Sequence, residues 1–253
     1  MPSQEADPIG VQRGNYKRSL AGPLFLAVGR ITSIPLQQFI LAKHPLSFLG
    51  VPRPPTDGTI TLPFLPPQWT TQPLFPFLIT LMPAVLVTKQ ILWMSYCNEL
   101  ITLPYAFFGV LSTYIYEGVT TLVFTSAAVN PLWSPTFVKI ATAIHITAAV
   151  AELGCELHRR SFKADPKNRG KLCTTGLWGL CRHPNYAANV IYGIAYGFAA
   201  GGPVYAAMTG GMYISNFTLN AIPPKEEYLA KKYGVGWERY KKDVRWKLFP
   251  GIY

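Results

Sequence analysis

The feature that most constrains this chain is a series of apolar runs, each about as long as a helix that crosses a membrane. The first covers residues 20–42, and three stronger ones cover 74–95, 101–128 and 136–157. About 20 apolar residues are needed to cross the hydrocarbon core of a bilayer. The chain has 49% hydrophobic and 14% charged residues, which is low in charge for a soluble protein. We therefore predict an all-α, polytopic integral membrane helix bundle.

Two shorter apolar segments lie between residues 186 and 223. Gly201, Gly202 and Pro203 stand at their junction, and such residues interrupt helices. This pattern is typical of a helical hairpin. It brings the predicted total to about six transmembrane helices in a single membrane domain, 1–253.

Charge is distributed unevenly along the chain, which carries a formal net charge of +11. From His158 onward there are fifteen Lys or Arg against five Asp or Glu, whereas the first 157 residues have eight against seven. Cytoplasmic segments of membrane proteins carry an excess of Lys and Arg. We therefore expect both termini and the basic 158–171 block on the cytosolic side, with an even number of crossings between basic regions.

The segments outside the apolar runs have simple interpretations. Residues 1–18 form a polar tail without the pattern of a cleaved secretory signal, and the proline-rich stretch 43–73 is expected to be an extended loop. The four cysteines have no C-x-x-C spacing. We therefore predict no metal site and treat the cysteines as small packing residues, with a nucleophilic role for Cys173 or Cys181 as the alternative.

The stretch 171–186, KLCTTGLWGLCRHPNY, combines cationic, aromatic and hydrogen-bonding side chains with a conformational break. Pro184 is best tolerated in the first turn of a helix, which predicts a helix that begins there. Gly176 and Gly179 predict a tight turn that presents the indole of Trp178. The exposed N–H groups of a helix N-terminus would favour an anion.

Three cations of the preceding block, Arg159, Lys163 and Lys171, lie within thirteen residues. Together with the helix start, they suit a ligand such as NADPH, which carries a pyrophosphate and a ribose 2′-phosphate. A basic loop that only sets topology is the alternative. Trp178, Asn185 and Tyr186 favour a ligand, since they suit stacking on a nucleotide and hydrogen bonding to it, although Trp178 also fits aromatic packing at the membrane interface.

Ionisable residues also occur inside the apolar runs, where they are costly and usually face the protein interior or a cavity. His145, Glu152 and Arg159 recur every seven residues, so they share a helix face. This stripe is either a polar wall of a substrate and cofactor cavity or a set of interhelical hydrogen bonds and ion pairs. Glu117, close to Tyr114, is a candidate proton donor, and we treat Glu117, Tyr114 and His145 as candidate catalytic residues.

Several motifs from residue 158 to the C-terminus resemble the membrane sterol reductase family, in particular its lamin B receptor-like carboxy-terminal region. They are His158-Arg159-x-x-Phe162-Lys163, Lys171-Leu172, Gly176-x-Trp178-Gly179, Arg182-His183-Pro184-Asn185-Tyr186, Lys232-Tyr233-Gly234-x-x-Trp237-x-x-Tyr240 and Phe249-Pro250-Gly251-Ile252-Tyr253. The wider superfamily includes the steroid 5-alpha reductases and the isoprenylcysteine carboxyl methyltransferases, with which RHPxY alone is shared.

The resemblance implies an NADPH-dependent oxidoreductase that reduces a carbon–carbon double bond in a sterol-like lipid. The cofactor-region residues that it implies, together with our own candidates, are Arg159, Lys163, Lys171, Trp178, Arg182, His183, Asn185, Tyr186, Asn189, Glu226, Tyr233 and Tyr240. The front half of the chain has no recognisable family motif and is shorter than that of the usual sterol reductase, so a terpenoid or polyketide substrate fits equally well. We expect a lipophilic substrate, contact with membrane lipids, no nucleic acid, and residence in the endoplasmic reticulum.

Two positions depart from the family pattern. The family usually has Gly-Asp shortly after the helix start, where this chain has Ala188-Asn189, and Arg-Asp-Glu before the Lys-Tyr-Gly motif, where it has Pro224-Lys225-Glu226. Glu226-Glu227-Tyr228-Leu229 is similar to a motif of the isoprenylcysteine methyltransferases, whose cofactor is S-adenosylmethionine. A methyltransferase of that type is therefore an alternative, and a non-catalytic lipid-binding or scaffold protein on the same fold is another.

Overall fold

The computed structural model describes residues 12, 15, 17, 19–64, 66, 70–96 and 100–253. Most of the predicted polar tail, 1–18, lies outside the described residues. Five long helices form the bulk of the described chain: α1 (Ala21–Lys43), α2 (Leu74–Tyr96), α3 (Leu103–Thr125), α4 (Pro135–Ala164) and α5 (Pro184–Ser215). Two short amphipathic helices follow, α6 (Ile222–Tyr233) and α7 (Val235–Asp243).

The predicted all-α membrane bundle is confirmed. Within the described residues, five stretches are long and apolar enough to cross a membrane, the fifth being Pro184–Tyr233. The difference from the predicted six arises at Gly202, whose φ of 73° and ψ of −164° break α5 next to Pro203. Gly193 lies against Tyr213, and Gly197 against Thr209, so the two arms of α5 pack antiparallel. This is the predicted hairpin.

The described part of the proline-rich stretch 43–73 contains little regular structure. Its described residues include the 3-10 turn Pro45–Leu49 and two short strands, β1 (Thr59–Thr61) and β2 (Thr71–Pro73). The strands pair antiparallel, with Thr59 opposite Pro73 and Thr61 opposite Thr71.

The chain divides into two compact units. Unit 1 comprises residues 1–142 and 198–205, and unit 2 comprises 143–197 and 206–253. In unit 1, α1 packs closely on α3, because Gly29 has no side chain to keep Val110 away. The tip of the α5 hairpin is also fixed there, since Trp133 Nε1 donates to the carbonyl of Ala199 at 2.8 Å.

Unit 2 contains most of α4, both arms of α5 and the C-terminal helices. A buried cluster of Ala187, Val190, Phe217, Ile222 and Leu248 connects α5 with the segment that leads into α6 and with the C-terminal segment. A second cluster, formed by Trp237, Tyr240 and Val244, holds α7. The predicted cofactor residues all belong to this unit.

Candidate cofactor site

The helix α5 begins at Pro184, as the sequence predicts. The preceding residue, His183, has φ −132° and ψ 60°, outside the helical region. The backbone N–H groups of Arg182 and His183 donate to the carbonyls of Trp246 and Lys247, both at 2.9 Å. These two donors are therefore used by the C-terminal segment, and anion recognition near this helix start has to come mainly from other groups.

Arg182 is buried and held by protein groups. Its Nε donates to Glu226 Oε1 at 2.8 Å, and its Nη1 donates to the carbonyls of Val244 and Arg245 at 3.0 and 2.7 Å. The ion pair has side-chain exposures of only 7% and 19%. In this arrangement Arg182 connects α6 and the C-terminal segment to the start of α5.

His183 is fully buried, and Glu226 Oε1 lies 3.1 Å from its Nε2. Burial lowers the pKa of His183 to about 4, although the hydrogen bond to Glu226 acts in the opposite direction. The imidazole is therefore neutral near pH 7. Because the Glu226 carboxylate only accepts, Nε2 carries the proton and Nδ1 is an acceptor. That Nδ1 is buried and has no hydrogen-bond partner in the described structure.

Asn185, in the first turn of α5, provides a second acceptor of this kind. The residue is 8% exposed, and its Oδ1 is buried without a hydrogen-bond partner among the described residues. Its backbone carbonyl accepts from Asn189 Nδ2 at 2.6 Å, and Tyr192 in turn donates its hydroxyl to Asn189 Oδ1. His183 and Asn185, on either side of Pro184, thus leave buried acceptors available, which suits a ligand that carries O–H or N–H groups.

Tyr186 stacks between two other rings. The ring of His183 lies 5.4 Å from it at an interplanar angle of 13°, and that of Phe217 lies 4.7 Å away at 20°. Lys225 Nζ is 4.8 Å from the same ring centroid. Tyr186 therefore orients His183, and stacking on a nucleotide would require these neighbours to move.

The position of the Trp178 indole differs from the prediction. Gly176–Gly179 forms a tight 3-10 turn with Gly176 at φ +61°, but the indole is 5% exposed and is not presented at the surface. The reason is that Nε1 donates to the carbonyl of Cys155 at 3.0 Å, and the ring packs with Cys155 and Cys173. The carbonyl of Trp178 accepts from the Tyr240 hydroxyl at 2.6 Å.

The buried cysteines fit the packing role expected for them. Cys155, Cys173 and Cys181 are free and buried. Burial raises the pKa of the Cys181 thiol, so the group stays protonated and weakly nucleophilic near pH 7. Cys97 lies outside the described residues.

The three cations of the basic block differ in their partners. Arg159 donates to Glu156 Oε2 at 2.5 and 3.1 Å, and its guanidinium lies 5.6 Å from the Trp178 ring. Lys163 donates to the Tyr233 hydroxyl at 2.9 Å and to the carbonyl of Lys171. The Lys171 side chain is exposed and has no partner in the described part of the chain. Lys171 is thus the most available of the three for a phosphate.

The candidate acid Glu117 and its neighbour Tyr114 belong to unit 1. Glu117 Oε1 accepts from Arg30 at 3.3 Å, and Oε2 accepts from Gln37 at 3.0 Å. The two members of this ion pair are buried, with side-chain exposures of 11% for Arg30 and 4% for Glu117. The hydroxyl of Tyr114 shares a hydrogen bond of 2.6 Å with Thr32. Glu117 as proton donor remains a prediction, and in the structure its carboxylate accepts.

The third catalytic candidate, His145, is completely buried on α4 in unit 2. Its Nδ1 lies 3.0 Å from the carbonyl of Tyr192, and its ring contacts Tyr192 and Tyr196 at centroid distances of 5.4 and 6.1 Å. The stripe of His145, Glu152 and Arg159 lies on one continuous helix, as predicted. The contact of His145 with Tyr192 joins α4 to α5 and is of the kind that the interhelical alternative describes, whereas Arg159 pairs with Glu156 within α4 itself.

Some groups that contact the predicted site residues were not themselves predicted from the sequence. Arg30 lies inside the first apolar run, and the structure makes it the partner of Glu117. Its position inside that run was the available signal, because a membrane-embedded cation needs a partner. The carbonyls of Val244 and Arg245 carried no such signal, since every residue has a backbone carbonyl.

Comparison with known proteins assigns the family. Residues 92–244 match the family described as "Protein of unknown function (DUF1295)", and the chain belongs to it. It is 31% identical over 152 residues to a probable O-methyltransferase ustE of Ustilaginoidea virens, covering 60% of this chain and 54% of that protein. It is also similar to sterol reductases, which confirms the resemblance to that membrane family.

The reductase matches are shorter. A probable 7-dehydrocholesterol reductase of Acanthamoeba polyphaga mimivirus is 35% identical over 91 residues, which is 36% of this chain and 20% of that protein. A Delta(14)-sterol reductase of Ascobolus immersus is 27% identical over 124 residues, 44% of this chain and 29% of that protein. The chain thus spans about half, or less, of the length of these relatives.

Proposed function

We propose that this protein is a membrane oxidoreductase that uses NADPH to reduce a carbon–carbon double bond in a lipophilic, sterol-like, terpenoid or polyketide substrate. The observation that carries the proposal is the engagement of Glu226. Its Oε1 accepts from Arg182 and lies within hydrogen-bond distance of His183 Nε2. The Glu226 carboxylate therefore pairs with Arg182 of the same protein. In a reductase we expect this indirect role, in which Glu226 fixes a neighbouring cation and does not itself contact the cofactor.

The residues of unit 2 fit NADPH in two respects. Buried acceptors at His183 Nδ1 and Asn185 Oδ1 suit the hydroxyl and carboxamide donors of the nucleotide. The exposed ammonium of Lys171, with Arg159 and Lys163 nearby in the chain, suits its phosphates. When bound, NADPH supplies the hydride that one carbon of the double bond accepts.

The second carbon of the double bond needs a proton, for which Tyr114, Glu117 and His145 are our candidates. The hydroxyl of Tyr114 carries a donor hydrogen and shares a hydrogen bond of 2.6 Å with Thr32. The carboxylate oxygens of Glu117 already accept from Arg30 and Gln37. We therefore rank Tyr114 first among the three.

A methyltransferase is the second candidate, because the match to a probable O-methyltransferase covers 60% of this chain. In that function a carboxylate such as Glu226 would meet S-adenosylmethionine directly. The two candidates differ in what a neutral substitution at Glu226 does. Glu226→Gln would abolish S-adenosylmethionine binding in a methyltransferase, but would reduce hydride transfer without abolishing it in a reductase.

The experiment is cofactor binding by the purified protein in detergent, comparing NADPH, NADH and S-adenosylmethionine for the wild type and Glu226→Gln. We expect NADPH to bind most tightly in the wild type and to bind more weakly in the variant. Glu227→Gln is the matched control, because Glu227 is exposed and pairs with Lys231 on the same helix. S-adenosylmethionine binding that depends on Glu226, without NADPH affinity, would overturn the proposal. A folded protein that binds neither would indicate a scaffold.

A further inference from the structure

The helix α7 has two chemically different faces. Trp237 and Tyr240 are buried and pack with Val244, just past the helix end. On the opposite side, positions 235, 239 and 242 follow helical spacing and carry Val235, which is 86% exposed, and the exposed cations Arg239 and Lys242. Arg245 and Trp246, which follow the helix, are exposed as well. We call Val235, Arg239, Lys242, Arg245 and Trp246 the α7 basic face.

The cations of the α7 basic face are uncompensated. Arg239, Lys242 and Arg245 have no hydrogen-bond or ion-pair partner for their side chains in the part of the chain that the structure describes. By contrast, Lys241 on the same helix pairs with Glu238 at 2.9 Å. Glu238 and Asp243 are exposed acidic residues beside them, but Glu238 pairs with Lys241, so the face retains a net positive charge.

The α7 basic face also mixes charge with apolar surface. Val235 is 86% exposed and Trp246 is 38% exposed. In water-exposed parts of a protein, large apolar side chains are usually buried. The helix begins at Val235, just after the last stretch able to cross a membrane ends at Tyr233. A short helix with cations, an exposed indole and an exposed aliphatic side chain is typical of a segment that lies at the membrane interface.

We propose that the α7 basic face docks on a leaflet that contains anionic lipid head groups, with Arg239, Lys242 and Arg245 against the phosphates and Val235 and Trp246 in the interfacial layer. Charge complementarity selects this occupant, because a zwitterionic surface offers no net attraction to three uncompensated cations. Each cation near such a surface strengthens binding by about fivefold. The opposite, buried side of α7 packs against the turn that holds Trp178, because Tyr240 donates its hydroxyl to the Trp178 carbonyl. Anionic lipid is therefore expected to order this part of unit 2.

The test places the whole protein in lipid nanodiscs with a polarity-sensitive fluorophore on Val235→Cys, and the unsubstituted protein provides the labelling blank. The nanodiscs contain phosphatidylcholine alone or up to about 30% phosphatidylserine. We expect the emission to shift to shorter wavelength as phosphatidylserine increases, and about 0.5 M salt to reverse most of the shift, because it screens the attraction.

Two variants make the test specific. Arg239→Gln/Lys242→Gln is expected to weaken the response to phosphatidylserine by about 25-fold, which removes it from the accessible range. The matched control, Lys43→Gln/Arg53→Gln, removes the same charge from exposed positions of unit 1 and should respond like the wild type. Sodium pyrophosphate added to phosphatidylcholine nanodiscs tests for a soluble phosphate ligand. The proposal would be overturned if the emission were the same in both lipid compositions or if the two double variants lost the response equally. A shift that pyrophosphate alone causes would overturn it as well.

Discussion

The α1–α3 contact of unit 1 and the start of α5 in unit 2 both bury polar side chains, yet they leave opposite groups unsatisfied. Between α1 and α3, the buried atom without a partner is a donor, Nε of Arg30. At the start of α5, the two unpartnered atoms are acceptors, Nδ1 of His183 and Oδ1 of Asn185. Because the described protein groups leave these atoms open, the first region suits an acceptor oxygen and the second suits donor groups.

The two regions also differ in how much of their charge is compensated internally. Arg30 and Glu117 form a buried ion pair that Gln37 completes, so the region is mainly self-sufficient. The pair Arg182–Glu226 likewise satisfies itself, but it places a neutral histidine beside an open acceptor. This comparison indicates a mainly structural role for the first pair and a ligand-facing role for the second region.

The largest effect should come from breaking the pair in unit 1. Arg30→Met leaves the Glu117 carboxylate buried without its cation, and loss of one partner of a buried pair costs about 3–5 kcal/mol. We expect the free energy of unfolding in detergent to fall by that amount. The double variant Arg30→Met/Glu117→Gln should recover much of it. Thr32→Val is the control, since it removes hydrogen bonds to Tyr114 and to backbone carbonyls of α1 but leaves the ion pair intact. A tolerated Arg30→Met would refute the structural role.

The next largest effect is the pH dependence of the free energy of unfolding that His183 in unit 2 causes. The pKa of His183 is about 4 in the folded protein and 6.5 in an unperturbed chain. Above pH 6.5 the residue is neutral in both states. As pH falls from 6.5 to 4, the unfolded chain binds a proton that the folded chain does not, so the free energy of unfolding falls by about 3 kcal/mol in total. Thermal unfolding at stepped pH measures this slope, and His183→Gln should flatten it. The same slope in both proteins would contradict the burial argument.

The cofactor region gives a third prediction. Arg159→Ala or Lys163→Ala should weaken NADPH binding by about 1.5–3 kcal/mol, because each removes a charge-assisted hydrogen bond to phosphate. Binding of NADH should suffer less at whichever residue meets the 2′-phosphate. Titration of nucleotide fluorescence measures both. Lys231→Ala, an exposed cation on α6 that pairs with Glu227, is the matched control. Small, equal effects on the two nucleotides would point to a basic loop that only sets topology.

A smaller effect on stability is expected when the hydrogen bond from Tyr240 to Trp178 is removed. Tyr240→Phe removes the donor to the Trp178 carbonyl and leaves that buried carbonyl unpaired, at a cost of about 1–2 kcal/mol. Burial raises the pKa of the Tyr240 hydroxyl, which keeps this donor protonated at any ordinary pH. Tyr233→Phe, at a half-buried position, should change the stability by less than about 0.5 kcal/mol. If both variants lost the same free energy of unfolding, the hydrogen bond from Tyr240 would not contribute more to stability than an ordinary half-buried position.

The sequence predicted the helices well because their causes are local. Pro184 marks the start of α5 through its fixed φ, and Gly202 with Pro203 marks the break in the hairpin. Four long helices, α1 to α4, lie where the apolar runs predicted them, apart from shifts at their ends. The largest shift is in α4, which continues to Ala164, through part of the basic block, because this stretch contains neither proline nor glycine.

The side-chain environment of the site was less predictable because its partners are distant in sequence. Trp178 is buried rather than presented because the carbonyl of Cys155 accepts its N–H across 23 positions. Arg182 is engaged by the carbonyl of Val244, 62 positions away, and backbone carbonyls have no sequence signature. The pairing of Arg30 with Glu117 spans 87 positions. Such contacts depend on how the helices pack, which the order of residue types does not specify.

The most direct test of the central claim is to follow the hydride itself. The purified protein, in nanodiscs with a neutral lipid extract from its source membranes, would be incubated with NADPH deuterated at the transferable position of the nicotinamide. The account predicts a lipid product that gains one deuterium from the nucleotide and one hydrogen from water, with release of NADP⁺, and a slower reaction for Glu226→Gln. A lipid that gains no deuterium from NADPH but acquires a labelled methyl group from S-adenosylmethionine would contradict it.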